Sequence, residues 1–156
     1  MAIKVFCIGK TAHKLYREEI NHYLDRLGKY ARVSWIELAD AKRKNNATVD
    51  DIRKMEAELV LKDLKPNTFL IGLDEKGKEM SSRNFSEKLN YWTANEPEVA
   101  FLIGGAYGFH DKMYHRMNEK LALSQMTLSH QMVRLLLAEQ LYRAYSILNG
   151  EPYHND

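Results

Sequence analysis

The chain has 156 residues, of which 45% are hydrophobic, 28% charged and 10% aromatic. This length fits one domain over residues 1–156, and three prolines and eight glycines without a biased tract exclude collagen-like and disordered chains. No apolar run approaches the roughly 18 residues of a membrane span, and residues 1–9 are too short and too strand-like for a signal peptide. The single Cys7 excludes an intrachain disulfide framework. We therefore expect a cytoplasmic protein.

The net charge is only +2, but it is unevenly distributed. Residues 1–44 carry ten Lys and Arg against five Asp and Glu, whereas residues 45–103 carry eight against eleven. The basic excess ends in Lys42-Arg43-Lys44. Charge alone fits both an ordinary solvated surface and a side that binds phosphates.

Strand and helix patterns alternate from end to end. Strands are predicted over 2–8, 33–38, 69–73, 99–103 and 121–123, and helices over 12–27, 49–64, 82–93, 111–119 and 130–148. Thr48 is predicted to cap the second helix, Leu15 is among the predicted core residues of the first, and 74–77 is a predicted loop. Five strands separated by helices predict a single α/β domain whose parallel sheet is covered on both faces.

The last helix carries more apolar surface than one side of a small domain can cover. One stripe consists of Val133, Leu136, Leu137, Leu141, Ala144 and Leu148, and a second of Met132, Leu135, Tyr142 and Tyr145. We therefore expect a second copy to cover the other side, which makes the protein a homodimer.

The segment Gly104-Gly105-Ala106-Tyr107-Gly108 follows a buried strand and precedes a helix. Glycines there permit a sharp turn and a close approach to a ligand at the carboxyl edge of the sheet, although a plain tight turn explains them equally well. The spacing differs from G-x-G-x-x-G, and Ser124 stands near the position where a dinucleotide site needs an acid. Both features disfavour a nicotinamide site.

Further candidates lie around the start of the last helix. The alternating apolar and small polar side chains of 123–128 suit either an adenine-binding loop or an ordinary connection. His130 and Arg134 stand four residues apart, and an arginine in so apolar a helix indicates contact with an anion, a carboxylate or a subunit. Glu139 and Arg143 repeat the spacing and are predicted to form an intrahelical ion pair. The six histidines are scattered, so no metal site is predicted.

The order of these motifs is distinctive. Six motifs follow one another along the chain: Leu73-Asp74, the glycine loop 104–108, Leu123–Leu128, His130-Gln131-Met132-Val133-Arg134, residues 139–144 and the tail Pro152-Tyr153-His154. Together with the opening Ile8-Gly9-Lys10, they closely resemble the ribosomal RNA large subunit methyltransferase H family of the SPOUT superfamily. The resemblance spans essentially the whole chain.

The resemblance implies an S-adenosylmethionine (SAM)-dependent methyltransferase that acts as a homodimer on the assembled ribosome. The implied substrate is N3 of a pseudouridine in the helix 69 loop of large-subunit (23S) rRNA, with neither membrane nor DNA as a partner. The implied fold is an α/β sheet whose C-terminal part forms a trefoil knot, which periodicity alone does not predict. By residue matching, the SAM-binding positions are Leu73, Gly104, Gly105, Leu123, Ser124, Gln125, Met126, Thr127 and Leu128.

Four residues are the catalytic candidates. His130 is expected to take the imide proton or bind a base carbonyl, and Arg134 to stabilise the imide oxygens or bind a phosphate. Tyr153 and His154 are expected to close over the base from a mobile tail, with the partner subunit as one source of that tail. The rival hypothesis is a ribosome-binding factor without catalytic activity, which would have no use for a SAM loop.

Two positions depart from the family pattern. Ser129 stands where the family usually has a proline before its histidine, and serine is able to cap the helix that follows. Asn155-Asp156 ends the tail where relatives often carry a base, so an rRNA contact by these two residues is not implied.

Overall fold

The computed structural model describes residues 2–40 and 45–156, so Lys42-Arg43-Lys44 lies outside the described residues. Its strands are β1 (Ala2–Ile8), β2 (Arg32–Leu38), β3 (Phe69–Lys78), β4 (Val99–Ile103) and β5 (Glu119–Leu121). Its helices are α1 (Lys14–Leu27), α2 (Val49–Asp63), α3 (Ser82–Asn95), α4 (Asp111–Arg116) and α5 (Met132–Leu148). No helix among these residues is long and apolar enough to cross a bilayer.

All pairings in the five-stranded sheet are parallel, in the order β2-β1-β4-β3-β5. Ile3 of β1 lies opposite Val33 on one side and Val99 on the other, and Phe69 continues the same row. This confirms the parallel α/β sheet predicted from the alternation of strands and helices.

Helices cover both faces of the sheet, as predicted. Ile3, Val5 and Cys7 of β1 belong to a core that α1, α3 and α5 complete. Phe6 and Ile8 point the other way and pack into a second core with α2 and α4. Side chains on both faces of β1 are therefore buried, which explains why its sequence is apolar throughout.

Residues 74–77 and Leu15 differ from the prediction. Residues 74–77 belong to β3 rather than to a loop. The pairing of β3 with β5 is irregular, so that both Leu73 and Lys78 lie opposite Leu121, and the residues between them stay in the strand. A Cβ atom at Gly77 would come within 2.7 Å of the Leu121 backbone, so glycine is needed for that approach. Leu15 is 71% exposed rather than buried, because it lies in the first turn of α1.

The bounds of the elements that follow β4 also differ from the predicted ones. α4 ends at Arg116 and β5 begins at Glu119, since Met117 is already extended and the Asn118 side chain accepts a hydrogen bond from the Leu70 amide at 2.8 Å. α5 begins at Met132, two residues later than expected. The trefoil knot stays a prediction from the family resemblance.

The start of α2 is capped as the sequence predicts. The Thr48 hydroxyl accepts a hydrogen bond from the Asp51 amide at 3.1 Å, and the Asp51 carboxylate accepts one from the Thr48 amide at 2.9 Å. This reciprocal pair satisfies two amides that the helix itself leaves free.

We expect Thr48→Ala to lower the free energy of unfolding by about 1 kcal/mol, because one of the two hydrogen bonds is lost. Urea denaturation followed by circular dichroism measures the change. Thr48→Ser keeps the hydroxyl and should stay close to the parent protein. Equal stability of all three proteins would contradict a stabilising role for the cap.

Candidate active site

A cavity of about 560 Å³ opens at the carboxyl edge of the sheet, beside residues 73–76 of β3, where β4 and β5 end and α5 begins. His130 lines the cavity. So do eight of the predicted cofactor-binding residues: Leu73, Gly104, Gly105, Leu123, Ser124, Met126, Thr127 and Leu128. Parallel strands deliver all their following loops to one edge, so residues that are distant in the sequence meet there. A volume of this size is typical of sites for small ligands and cofactors.

The loop 123–128 is held against the extended part of β3. Thr127 Oγ1 donates a hydrogen bond to Glu75 at 2.6 Å, and Gln125 Nε2 donates one to Glu79 at 2.8 Å. The Gln125 side chain therefore supports the loop from outside and is absent from the cavity wall, unlike its predicted companions. The sequence pattern does not reveal this support, because it predicts a loop over residues 74–77.

The glycine segment forms a tight turn at the cavity wall. The Gly108 amide donates to the Gly105 carbonyl at 3.2 Å, and Gly108 has a positive φ of 77°. A Cβ atom at Gly104 would come within 2.9 Å of the Phe109 ring. Glycine at position 104 is thus required by the packing of Phe109 as well as by any ligand in the cavity.

Both signs of charge line the cavity. Arg53 and Lys76 supply positive groups, and Asp74 and Glu75 supply carboxylates. Asp74 is oriented by two hydrogen bonds, from Tyr114 Oη at 2.7 Å and from the Lys76 amide at 2.8 Å. Partial burial and the hydrogen bond to Asp74 raise the pKa of Tyr114 to about 12, so this hydroxyl stays protonated and donates.

Arg53 and Tyr114 were missed in the sequence analysis. Arg53 reaches the site from α2 and donates from Nε to the Tyr107 carbonyl at 2.7 Å, which ties α2 to the glycine segment. Tyr114 comes from α4 on the same face of the sheet. Neither residue belongs to a local motif, so only the packing of α2 and α4 reveals them.

His130 lies at the cavity wall in the turn that precedes α5. Burial lowers the pKa of its imidazole below the ordinary value of 6.5, the positive charge of Arg134 lowers it further, and Asp40 opposes the change. The ring is therefore neutral at pH 7. A neutral imidazole offers one nitrogen that can accept a proton or a hydrogen bond.

Arg134 does not face the cavity, and of the predicted contacts (an anion, a carboxylate or a subunit) the structure shows the carboxylate of Glu37, 3.8 Å from Nη1. Its side chain has no exposed surface, and its guanidinium donates to the carbonyls of Ile8, Gly9 and His130 and to the Thr11 hydroxyl. In this structure a direct contact between Arg134 and a base or a phosphate is therefore ruled out by burial. The contacts that Arg134 makes in this structure are structural.

Tyr153 and His154 do not reach the cavity of their own chain. The Tyr153 ring packs on Tyr142 with centroids 4.7 Å apart, and its hydroxyl donates to Glu139 at 3.1 Å. Arg143 lies 3.1 Å from His154 Nδ1 and forms the predicted ion pair with Glu139. The tail is thus packed against α1 and α5 instead of projecting freely.

The last residue helps to hold the tail in this place. Asp156 forms an ion pair with Arg83 of α3, and its Oδ1 lies 3.2 Å from His154 Nε2. The acidic end that departs from the family pattern therefore contacts its own subunit.

The chain matches the family profile described as "Predicted SPOUT methyltransferase" over residues 1–154. It is 43% identical over 157 residues to the ribosomal RNA large subunit methyltransferase H of Parabacteroides distasonis, with all of both chains covered. It is 42% identical over 156 residues to the protein of that name from Christiangramia forsetii, with 99% of both chains covered. The chain belongs to the ribosomal RNA large subunit methyltransferase H family. These matches confirm the resemblance that the motifs of this SPOUT methyltransferase indicate.

The fold has a solved counterpart in a probable methylase family protein from Haemophilus influenzae. The two share 14% sequence identity with a TM-score of 0.58, over 99% of this chain and 70% of the other. At this identity the likeness concerns the fold alone.

Within residues 2–40 and 45–156 of this methyltransferase, no group of three or more His, Cys, Asp and Glu side chains is placed to hold a metal ion. Cys7 is buried in β1, and burial raises its pKa to about 12, which keeps the thiol protonated.

We expect the His130 imidazole of this methyltransferase to titrate below pH 6.5, because burial and the Arg134 charge disfavour its protonated form. NMR chemical shifts followed against pH measure the midpoint, and His130→Gln assigns the resonance. Asp40→Asn should lower the midpoint further, since it removes a carboxylate that favours the charged ring. A midpoint above 6.5 in the parent protein would contradict the structure.

Proposed function

We propose that this methyltransferase transfers a methyl group from SAM to N3 of a pseudouridine in the helix 69 loop of 23S rRNA, on the assembled ribosome in the cytoplasm. The names of its relatives, at about 42% identity over nearly the whole chain, support large-subunit rRNA as the substrate. The observation that carries the proposal is the cavity at the sheet edge, which gathers eight of the nine positions expected from the family to bind SAM.

The cavity suits SAM in its chemistry as well as its size. Leu73, Leu123 and Leu128 supply apolar walls for a flat adenine ring. The amino-acid part of SAM carries an ammonium, a carboxylate and a sulfonium. The two carboxylates and two basic side chains that line the cavity match those charges. We infer that Asp74 and Glu75 face the cationic groups, while Arg53 and Lys76 face the carboxylate.

SAM supplies an electrophilic methyl group when bound, so the residues of the chain have to orient the base and remove the N3 proton. His130 lies at the cavity wall with a neutral imidazole, and we assign proton removal to it. With SAM bound, the N3 proton would pass to the imidazole as the methyl group is transferred, and the demethylated donor would leave. If water takes the proton instead, His130→Gln will retain the acid limb of the pH–rate profile.

We propose a homodimer in which the tail of one subunit serves the cavity of the other. Within one chain, Val133 lines the cavity and Arg143 contacts the tail, and ten residues of α5 separate them by about 15 Å. Met132 and Leu136 of α5 remain 41% and 37% exposed, although both are large and apolar. Covering them with a second copy would bury this surface and bring a second tail near the cavity.

The basic excess of residues 1–44 supports contact with rRNA phosphates. Such contacts add affinity without choosing a base, so selection of the target depends on how the ribosome presents the loop. We therefore propose the intact ribosome, rather than a free stem-loop, as the preferred substrate.

We expect Leu128→Trp to raise the dissociation constant for SAM at least about tenfold, because the larger ring occupies cavity volume. Leu128 is suitable because it lines the cavity without belonging to either hydrophobic core. Titration calorimetry measures binding, and Leu61→Trp on the exposed side of α2 is the matched control. Unchanged SAM affinity in a folded Leu128→Trp protein would place the cofactor elsewhere.

We expect a chain truncated after Gly150 to bind SAM normally but not to methylate ribosomes from a strain lacking the enzyme. Mass spectrometry of the 23S rRNA identifies the product. Mixing truncated protein with His130→Gln should restore about a quarter of the parent turnover, since half the dimers then hold one complete site.

The outcomes separate the parts of the proposal. Full turnover by the truncated protein would remove the tail from the reaction, and no restoration on mixing would place the tail at its own subunit's cavity. Absence of ribosome methylation by the parent protein would overturn the proposed substrate.

A further inference from the structure

Arg134 joins the start of α5 to residues 8–11, which are far away in the sequence. Its Nη2 donates to the Ile8 carbonyl at 2.6 Å, and its Nη1 donates to the Gly9 carbonyl at 2.9 Å and to Thr11 Oγ1 at 3.0 Å. Its Nε donates to the His130 carbonyl at 3.0 Å. One side chain thus ties the end of β1 and the turn after it to the peptide of the residue assigned to proton removal.

Two further contacts complete this connection. Gln131 accepts from the Ala12 amide at 2.8 Å and donates to the Lys10 carbonyl at 3.2 Å. Glu37 of β2 accepts from the Thr11 amide at 3.1 Å and from the Thr11 hydroxyl. Its carboxylate also lies 3.8 Å from Arg134 Nη1, which gives the buried charge a counter-ion.

The guanidinium is well suited to this place. Its planar fork satisfies several carbonyls at once, which a lysine ammonium cannot do with the same geometry. Burial of an unpaired charge is costly, so each acceptor around Arg134 holds the side chain in one position. The carbonyl of His130 is one of these acceptors, and it is therefore held in place with respect to β1.

We propose that Arg134 is a positioning residue that holds His130 at the cavity wall for methyl transfer. This inference rests on the proposed function, because it takes His130 as the proton acceptor. Most of the cavity wall comes from segments that Arg134 does not touch, at the ends of β3 and β4 and in 121–127. Loss of Arg134 should therefore impair turnover more than it impairs SAM binding.

The charges around the imidazole agree with this arrangement. Arg134 and Asp40 act on His130 in opposite directions, and burial adds to the effect of Arg134 by lowering the pKa. Glu37 faces the same guanidinium from β2. Removal of the Arg134 charge should thus raise the titration midpoint of His130, whatever the RNA substrate is.

The test compares Arg134→Gln with a matched arginine far from the cavity. Arg116 donates to the carbonyls of Lys65, Pro66 and Thr68 at the opposite, amino edge of β3, so Arg116→Gln loses a similar set of hydrogen bonds. We expect Arg134→Gln to lower kcat on ribosomes at least about tenfold, while the SAM dissociation constant changes less than about threefold. Its His130 resonance should titrate at higher pH, and Arg116→Gln should leave all three quantities unchanged.

Thr11→Val decides the question if Arg134→Gln fails to fold. It removes one hydroxyl at a position that is 1% exposed and leaves the other three contacts of Arg134 in place. We expect a smaller fall in kcat with SAM binding retained. Parent kcat in Thr11→Val, or in a folded Arg134→Gln, would overturn the inference, as would equal losses in kcat and SAM affinity. An inactive parent protein would instead overturn the proposed function, while SAM binding and the His130 titration would still report on Arg134.

Discussion

Parallel pairing of β3, β4 and β5 is the constraint on which the site depends. Because all three strands run the same way, Leu73 of β3 meets Gly104 and Leu123, which follow β4 and β5, at one edge of the sheet. Helices cover both faces of the sheet, and the cavity opens at its carboxyl edge. The irregular pairing of β3 with β5 adds a second effect, since it carries Glu75 and Glu79 to the positions where they hold the loop 123–128.

Buried polar contacts supply the precision that apolar packing lacks. Hydrophobic burial sets the position of α5 along its core face, but it is tolerant of small shifts. The contacts of Arg134 do not tolerate such shifts, because a displacement of α5 relative to β1 would break its buried hydrogen bonds to the carbonyls of Ile8 and Gly9. An arginine inside an apolar helix is therefore explained by the need to fix the turn at His130 against the end of β1.

The position of the tail bears on both the proposed reaction and the proposed homodimer. Tyr153 and His154 are engaged with Glu139 and Arg143 of α5 and do not line the cavity, so the tail does not complete the proposed site of its own chain in this structure. Burial raises the pKa of Tyr153 well above its ordinary value, which makes it a hydrogen-bond donor and not a base at neutral pH. If the tail binds the base, it does so as a stacking and hydrogen-bonding surface, while proton removal remains with the neutral His130.

The amino-acid sequence by itself determined the order of strands and helices, the parallel sheet and the family, because apolar periodicity and motif order are local properties of the chain. It also led to the cavity residues, through the match of Leu73, Gly104 and Leu123–Leu128 to the family pattern. Only the tertiary structure decided that Arg134 is buried, that β3 continues through 74–78 and that the tail packs on its own α5. Each of these depends on partners distant in the sequence, such as Ile8 for Arg134 and Leu121 for Lys78. Local patterns report which side of an element is apolar, but they do not report which distant group a polar side chain will meet.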